Sequence, residues 1–198
     1  MKKINRLFAV IILLCMGTAF GQGFEVGGGI SKAVGDGSEY WNLGFNVNGS
    51  YFMPLSPNIR IGGRFAYNYW SPNEDELKSD FGMSDMSLSI DGSGTIIELT
   101  PSIRFVSPPK GGGTGFFAQA GVGYFIWKGT AEVSASMMGY SYTEEIEDSD
   151  EVFGVNFGGG IILGGSFGRG ITIYPLYNIL FTEDESTKYF TVNVGIGL

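Results

Sequence analysis

Histidine is absent from the 198-residue chain, cysteine occurs once, and no apolar run approaches the ~20 residues that a membrane-spanning helix needs. Each shortage excludes something. Without histidine the chain lacks the side chain that titrates nearest neutral pH, so the usual general base is missing. The single thiol, Cys15, follows Leu14 rather than the small residue that normally precedes a lipid-modified cysteine, and it lies in a segment expected to be removed. Disulfides and thiol chemistry are therefore not expected. Basic residues are few as well: 12 Lys and Arg stand against 20 Asp and Glu, which argues against a nucleic-acid partner.

What is present at the N-terminus reads as an export signal. Lys2, Lys3 and Arg6 form a positive start, Leu7 to Met16 an apolar core, and Ala19-Phe20-Gly21 a small-x-small cleavage site. Residues 1–21 are thus expected to be a signal peptide and 22–198 the working domain. Its removal takes three bases away and leaves nine against 20 acids, a formal charge of −11.

Glycine is plentiful, at 33 residues against a usual share of roughly 7%. No repeat absorbs these glycines; they lie within patterned segments. Eight segments alternate with a period of two: 23–33, 41–53, 59–70, 94–105, 115–128, 152–164, 171–182 and 188–198. In the second, Trp41, Leu43, Phe45, Val47, Tyr51 and Met53 share one face, and Asn42, Gly44, Asn46, Asn48 and Ser50 the other. An even number of such segments, each about ten residues or more, is the sequence form of a transmembrane barrel. The expected fold is all-β: an eight-stranded antiparallel up-and-down transmembrane β-barrel. A soluble lipocalin-like barrel is the competitor, but it holds its apolar face inside. Here the apolar phase is the more continuous and aromatic one, which suits lipid outside. Pro101 and Pro175 interrupt the pattern and are expected at bulges or near a membrane boundary.

The connections between segments alternate in character. The second, fourth and sixth contain the turn formers PLSPN, SPPKGGG and GSFGRG and no acid, whereas the odd links hold 18 of the 20 acids. Outer-membrane barrels have short periplasmic turns and longer external loops, so the odd links are expected outside. SLSIDGSGTI and the segments 131–137 and 140–146 around MMG suggest strands that continue above the membrane. DSDE at 148–151 lacks the ligand spacing and central glycine of a calcium loop, and no metal or other cofactor is expected.

The two remaining acids, Glu25 and Glu98, fall on the inward phase with Arg60, Arg64 and Arg104. An eight-stranded barrel is just wide enough for side chains to fill, and an unpaired buried charge is costly. These five residues are therefore expected to form a lumen charge network that plugs the barrel, with inward glycines making room for the long arginines. A small channel, or a transporter using inward-phase Phe117, Phe125, Trp127, Tyr174, Leu176 and Leu180 as an apolar upper cavity, is the alternative.

The export signal, the glycine-rich strands FFAQAGVGYF and FGVNFGGGI and the apolar terminal strand together resemble the small outer-membrane β-barrel family that includes the membrane domain of outer-membrane protein A. The resemblance implies that the last strand, with Phe190, Val192, Val194, Ile196 and Leu198 facing lipid and the first strand as neighbour, is an assembly signal for the barrel-insertion machinery. Leu198 stands where such strands commonly end in an aromatic residue. No further domain is expected after it, nor is the peptidoglycan anchoring of larger relatives. The lipid deacylases and proteases of outer membranes rely on histidine, so an enzyme is not expected either. The resulting expectation is a monomeric structural or surface-interaction protein, whose acidic rim meets lipopolysaccharide phosphates through shared cations or meets a basic partner.

Overall fold

The computed structural model describes residues 23–80, 88–107, 113–137, 140–164, 170–182 and 186–198; the expected signal peptide lies outside them. Eight strands run in order: β1 (Phe24–Val34), β2 (Gly44–Ser56), β3 (Ile59–Trp70), β4 (Leu88–Ser107), β5 (Gly115–Met137), β6 (Tyr140–Leu163), β7 (Ile171–Phe181) and β8 (Ser186–Gly197). Each pairs antiparallel with its neighbours and β8 returns to β1, closing the barrel. Closure leaves no free edge in the wall, a condition that hydrocarbon imposes on any sheet crossing it.

The period of two decides which face is which. Asn46, Asn48, Ser50, Arg64, Glu98 and Asn193 are buried inside, while Phe153, Val122 and Leu99 are 67%, 60% and 59% exposed on the outside. A water-soluble monomer does not expose an apolar belt of this extent, and a ligand-carrying soluble barrel has the opposite polarity. The soluble alternative is set aside on that ground. Aromatic residues pair across neighbouring strands on the outer wall: Phe45 with Tyr69, Tyr124 with Phe153, and Phe157 with Tyr177, at ring separations of 5.2 to 5.6 Å.

The strands expected to continue above the membrane do so: β5 and β6 pair without a break out to Met137 and Tyr140, and the link placed at 129–151 is mostly strand. β4 likewise begins at Leu88, within SLSIDGSGTI, and pairs with β5 from there. β3 joins β4 only from Trp70 and Gly94, and β7 joins β6 only from Leu180 and Gly154. The upper parts of β4, β5 and β6 therefore form a three-stranded sheet standing beyond the barrel. Above the membrane both faces of a sheet meet water, so the apolar rhythm that marks a spanning strand fades from the sequence.

Trp41 is not on the wall with Leu43. β2 starts at Gly44, and a short 3-10 turn (Ser38–Tyr40) precedes Trp41. A seven-residue helix, α1 (Glu74–Asp80), lies in the next loop. The prolines sit at neither bulges nor ends. Thr100 and Pro101 drop out of the β4–β5 ladder, and Tyr174 and Pro175 out of the β6–β7 ladder, while register is the same on both sides of each gap. The pairs Gly63–Pro101 and Pro175–Val192 on the opposite edges remain. Proline lacks only its own N–H, so one ladder opens and the other holds.

A candidate functional site in the barrel lumen

Two arginine–glutamate pairs occupy the lumen. Arg64 on β3 faces Thr100, and Glu98 on β4 faces Ala66, so the two charged side chains meet on a diagonal. Arg64 Nη1 donates to Glu98 Oε2, with both side chains fully buried. The second carboxylate oxygen accepts from Thr100 Oγ1 and from Asn156 Nδ2 on β6, both at 2.7 Å. Glu98 is thus held by three donors from three strands.

The second pair spans the lumen. Arg104 on β4 reaches Glu25 on β1, Nη1 to Oε2 at 3.3 Å, and also gives Nε and Nη2 to Gln119 Oε1 at 3.0 and 2.7 Å. Its guanidinium lies 4.1 Å and 4.3 Å from the ring centres of Phe52 and Phe117, within the range of cation–π attraction. Gly195 makes room for the carboxylate: a Cβ there would come within 2.9 Å of Glu25 Cγ. The inward glycines were expected to clear space for arginines; Gly195 clears it for Glu25, and Gly121 for Ser102 and Asn156. Arg60 stands beside Arg104 in the β3–β4 ladder, half-buried at the turn end.

Amides connect the two layers. Asn48 Nδ2 donates to Asn46 Oδ1 (2.9 Å) and Asn193 Oδ1 (3.1 Å), and Tyr174 Oη donates to Asn48 Oδ1 (3.2 Å). Asn193 Nδ2 donates to Thr191 Oγ1 at 2.9 Å, while Asn193 Oδ1 lies 3.5 Å from Arg64 Nη2, the outer limit of a hydrogen bond. Sequence reading singled out the five charged residues and missed Thr100, Gln119, Asn156 and Asn193. The available signal was their shared inward phase.

Apolar side chains close both ends. At the turn end Val106, Phe117, Ile162 and Tyr174 pack together, with Phe117 and Tyr174 edge to face at 5.6 Å. At the loop end Trp70, Ile96, Phe125, Val152, Leu180 and Tyr189 form a second layer, with Trp41 and Trp127 against it. The six residues expected to line one upper cavity are thus divided: Phe117 and Tyr174 belong to the turn end, Phe125, Trp127 and Leu180 to the loop end, and Leu176 is buried outside both clusters. Phe117 and Phe125 are eight residues apart on one strand, roughly 26 Å at the strand rise, which accounts for the separation.

The loops at the upper end brace one another. Lys32 Nζ donates to the Trp41 carbonyl at 2.5 Å, Asn42 Nδ2 to the Pro72 carbonyl at 2.7 Å, and the Asn73 N–H to the Tyr40 carbonyl at 2.7 Å. The Tyr40 hydroxyl donates to Asp80 at the end of α1, and this bond to a carboxylate holds the phenol above its ordinary pKa. These contacts fix Trp41 over the mouth.

Chemically the lumen is an arrangement of mutual neutralisation, in which each carboxylate faces a guanidinium and Glu98 also accepts from a hydroxyl and an amide. Among the described residues no three Asp, Glu, His or Cys side chains converge to hold a metal ion. A concavity of about 870 Å³ lies on the wall instead of in the lumen, lined by Tyr51, Met53, Ile61, Pro101, Ile103 and Val122.

No protein-family model matches the chain, and no curated protein matches it. Solved structures do. The outer membrane enzyme PagL is 11% identical with a TM-score of 0.50, the match covering 88% of this chain and 99% of that one. A major outer membrane protein from Thermus thermophilus is also 11% identical at a TM-score of 0.50, over 89% and 99%. The attachment invasion locus protein Ail of Yersinia pestis is 18% identical over 88% and 96%, but at a TM-score of 0.45 it is too distant to add to the argument. Identities this low speak for the fold alone: a transmembrane eight-stranded barrel of the outer-membrane type. Since one such barrel is an enzyme, the fold by itself decides nothing about catalysis.

Proposed function

We infer from a lipid-facing barrel of this type that the chain is a non-enzymatic resident of the outer membrane, plugged in its lumen and active through its loop end. The observation that carries the reading is the sheet of β4, β5 and β6 above the barrel. β5 and β6 run for 23 and 24 residues, whereas β1 and β7 stop after 11, which is enough to span. The upper part of β6 carries Glu144, Glu145, Glu147, Asp148, Asp150 and Glu151 in sequence, and among the described residues no strand pairs with its outer edge down to Gly154. Such an edge, facing outward, suits a basic partner that adds a strand, or phosphate groups of lipopolysaccharide bridged by shared cations.

The plug has its own support. Two ion pairs, an amide network and two apolar layers fill the bore that an eight-stranded barrel leaves. Conductance of the refolded protein in a planar bilayer tests it. Silence in the wild type is the expected result; steady ion-selective openings that change in Arg104→Ala would make the charged lumen a pathway and sink the plugged reading. Replacing 131–146 with a two-residue Asn-Gly turn tests the sheet. The barrel should still form and show heat-modifiable migration on a gel, while binding of a basic surface partner falls.

β8 serves assembly in this reading. Phe190, Val194, Ile196 and Leu198 face outward, with Val192 half-buried between them, and the Leu198 N–H donates to the Phe24 carbonyl at 2.9 Å where β8 meets β1. An apolar strand of this kind is what insertion machinery would engage before closure. Closure of the membrane wall, which leaves no edge within the bilayer, also supports a monomer there.

A further inference from the structure

All three tryptophans of the chain, Trp41, Trp70 and Trp127, gather at the loop-end mouth although they come from a loop and two different strands. Two of them lie against glycine: a Cβ on Gly94 would stand 2.8 Å from the six-membered ring of Trp41, and one on Gly129 would stand 2.6 Å from that of Trp127. The glycines let the two rings lie directly against the backbone of the wall, and both rings also pack against the loop-end apolar layer. Cavities of about 220 Å³ and 300 Å³ adjoin Trp127, and both are bordered by Thr187. At ~30 Å³ per water the smaller holds roughly seven waters, the scale of one monosaccharide.

The polar groups around the smaller cavity are acids and hydroxyls, whereas the larger is bordered by Asp36, Tyr40, Ser186 and Lys188 as well. Asp148, Asp150 and Val152 follow one another on the same face of β6, so the wall of the smaller cavity reads carboxylate, carboxylate, apolar toward its floor of Val152 and Leu180. Among the described residues neither aspartate has a salt bridge, and only Asp150 Oδ1 is engaged, by the Glu151 N–H at 2.8 Å. Thr182 and Thr187 add hydroxyls. Below, Trp70 is 4% exposed, lines a small cavity shared with Trp41 and Trp127, and has an Nε1–H without an acceptor among the described residues.

We propose that the mouth is a binding site for an uncharged sugar unit. Its C–H face stacks on Trp127, adjacent hydroxyls donate to Asp148 and Asp150, and a ring or hydroxyl oxygen accepts from the Trp70 indole. A simple organic cation would satisfy the carboxylates but not the indole donor, and an anionic sugar is repelled by the acidic rim. The inference deepens the surface-interaction reading by naming a ligand class, and it rests on that reading for the outward orientation of the mouth. Its test uses purified protein, so failure to bind sugar leaves the conductance and sheet-replacement experiments to judge the broader reading.

The test is tryptophan fluorescence of the refolded full chain in uncharged phosphatidylcholine nanodiscs, titrated with methyl glycosides of glucose, galactose, mannose and N-acetylglucosamine. Glucuronate and butyltrimethylammonium are titrated alongside. At least one neutral glycoside should give a saturable change in the millimolar range, weakened at least tenfold in Asp148→Asn/Asp150→Asn and in Trp127→Ala. Both aspartates are exposed, and Trp127→Phe keeps a ring at the platform; unchanged gel migration verifies folding in each case. The proposal is overturned if no neutral glycoside saturates, if butyltrimethylammonium or glucuronate binds more tightly than every glycoside, or if the aspartate variants bind undiminished.

Discussion

Arg64 with Glu98 and Arg104 with Glu25 are the same two groups in the same bore, yet they are secured differently. Glu98 draws three donors from β3, β4 and β6, and Arg64 meets one carboxylate in return. Arg104 has a second acceptor in Gln119 and two aromatic rings within 4.3 Å, so its carboxylate is only part of its setting. One pair is organised around its anion and the other around its cation. The layer near Glu98 therefore depends on a single residue, while the layer near Arg104 shares its load.

Removing the anion of the first pair should have the largest effect. Glu98→Ala leaves a fully buried guanidinium without a carboxylate and should lower stability by about 3–5 kcal/mol in urea unfolding of the refolded barrel. Arg64→Leu combined with Glu98→Leu should recover most of that loss, because it removes both charges together. Failure of the double variant to recover would mean that Glu98 matters chiefly as the hub of Thr100 and Asn156. Glu25→Gln should cost less, about 1 kcal/mol by the same measurement, since Gln119 and the rings remain and the new amide can still accept. A cost as large as that of Glu98→Ala would erase the contrast.

The smallest effect concerns the loops above both layers. Because bonding to Asp80 raises the Tyr40 pKa, the contact is fully present below pH 10, the ordinary tyrosine value, and is lost as pH rises through the higher folded value. Trp41 fluorescence should report that release at alkaline pH, and Tyr40→Phe should abolish the step while the lumen pairs stay intact.

Much of this arrangement was legible in the alternation of residues. It put Glu25, Arg64, Glu98 and Arg104 on one phase and Phe153 and Leu99 on the other, because a two-residue period assigns faces without knowledge of neighbours. It could not say which arginine meets which glutamate. Glu25 meets Arg104 across the lumen from a strand three places away, a matter of register and barrel closure rather than local pattern. Trp41 illustrates the second blind spot. It continues the apolar rhythm of Leu43 and Phe45 but turns off the wall, since its position follows from the loops that dock on it and from the glycine beneath it. The upper sheet was legible in part, from SLSIDGSGTI and the segments flanking MMG, although water on both faces weakens the rhythm itself.

The two proline gaps have a mechanical consequence. One lies between β4 and β5 and the other between β6 and β7, so they flank the hairpin of β5 and β6, whose own ladder runs unbroken from Gly115–Ile162 to Met137–Tyr140. That hairpin is a single stiff lever, with its long arm above the bilayer and its short arm set in the wall between two seams. A pull on the acidic sheet would be transmitted down the lever, and the wall would yield first along Pro101 and Pro175.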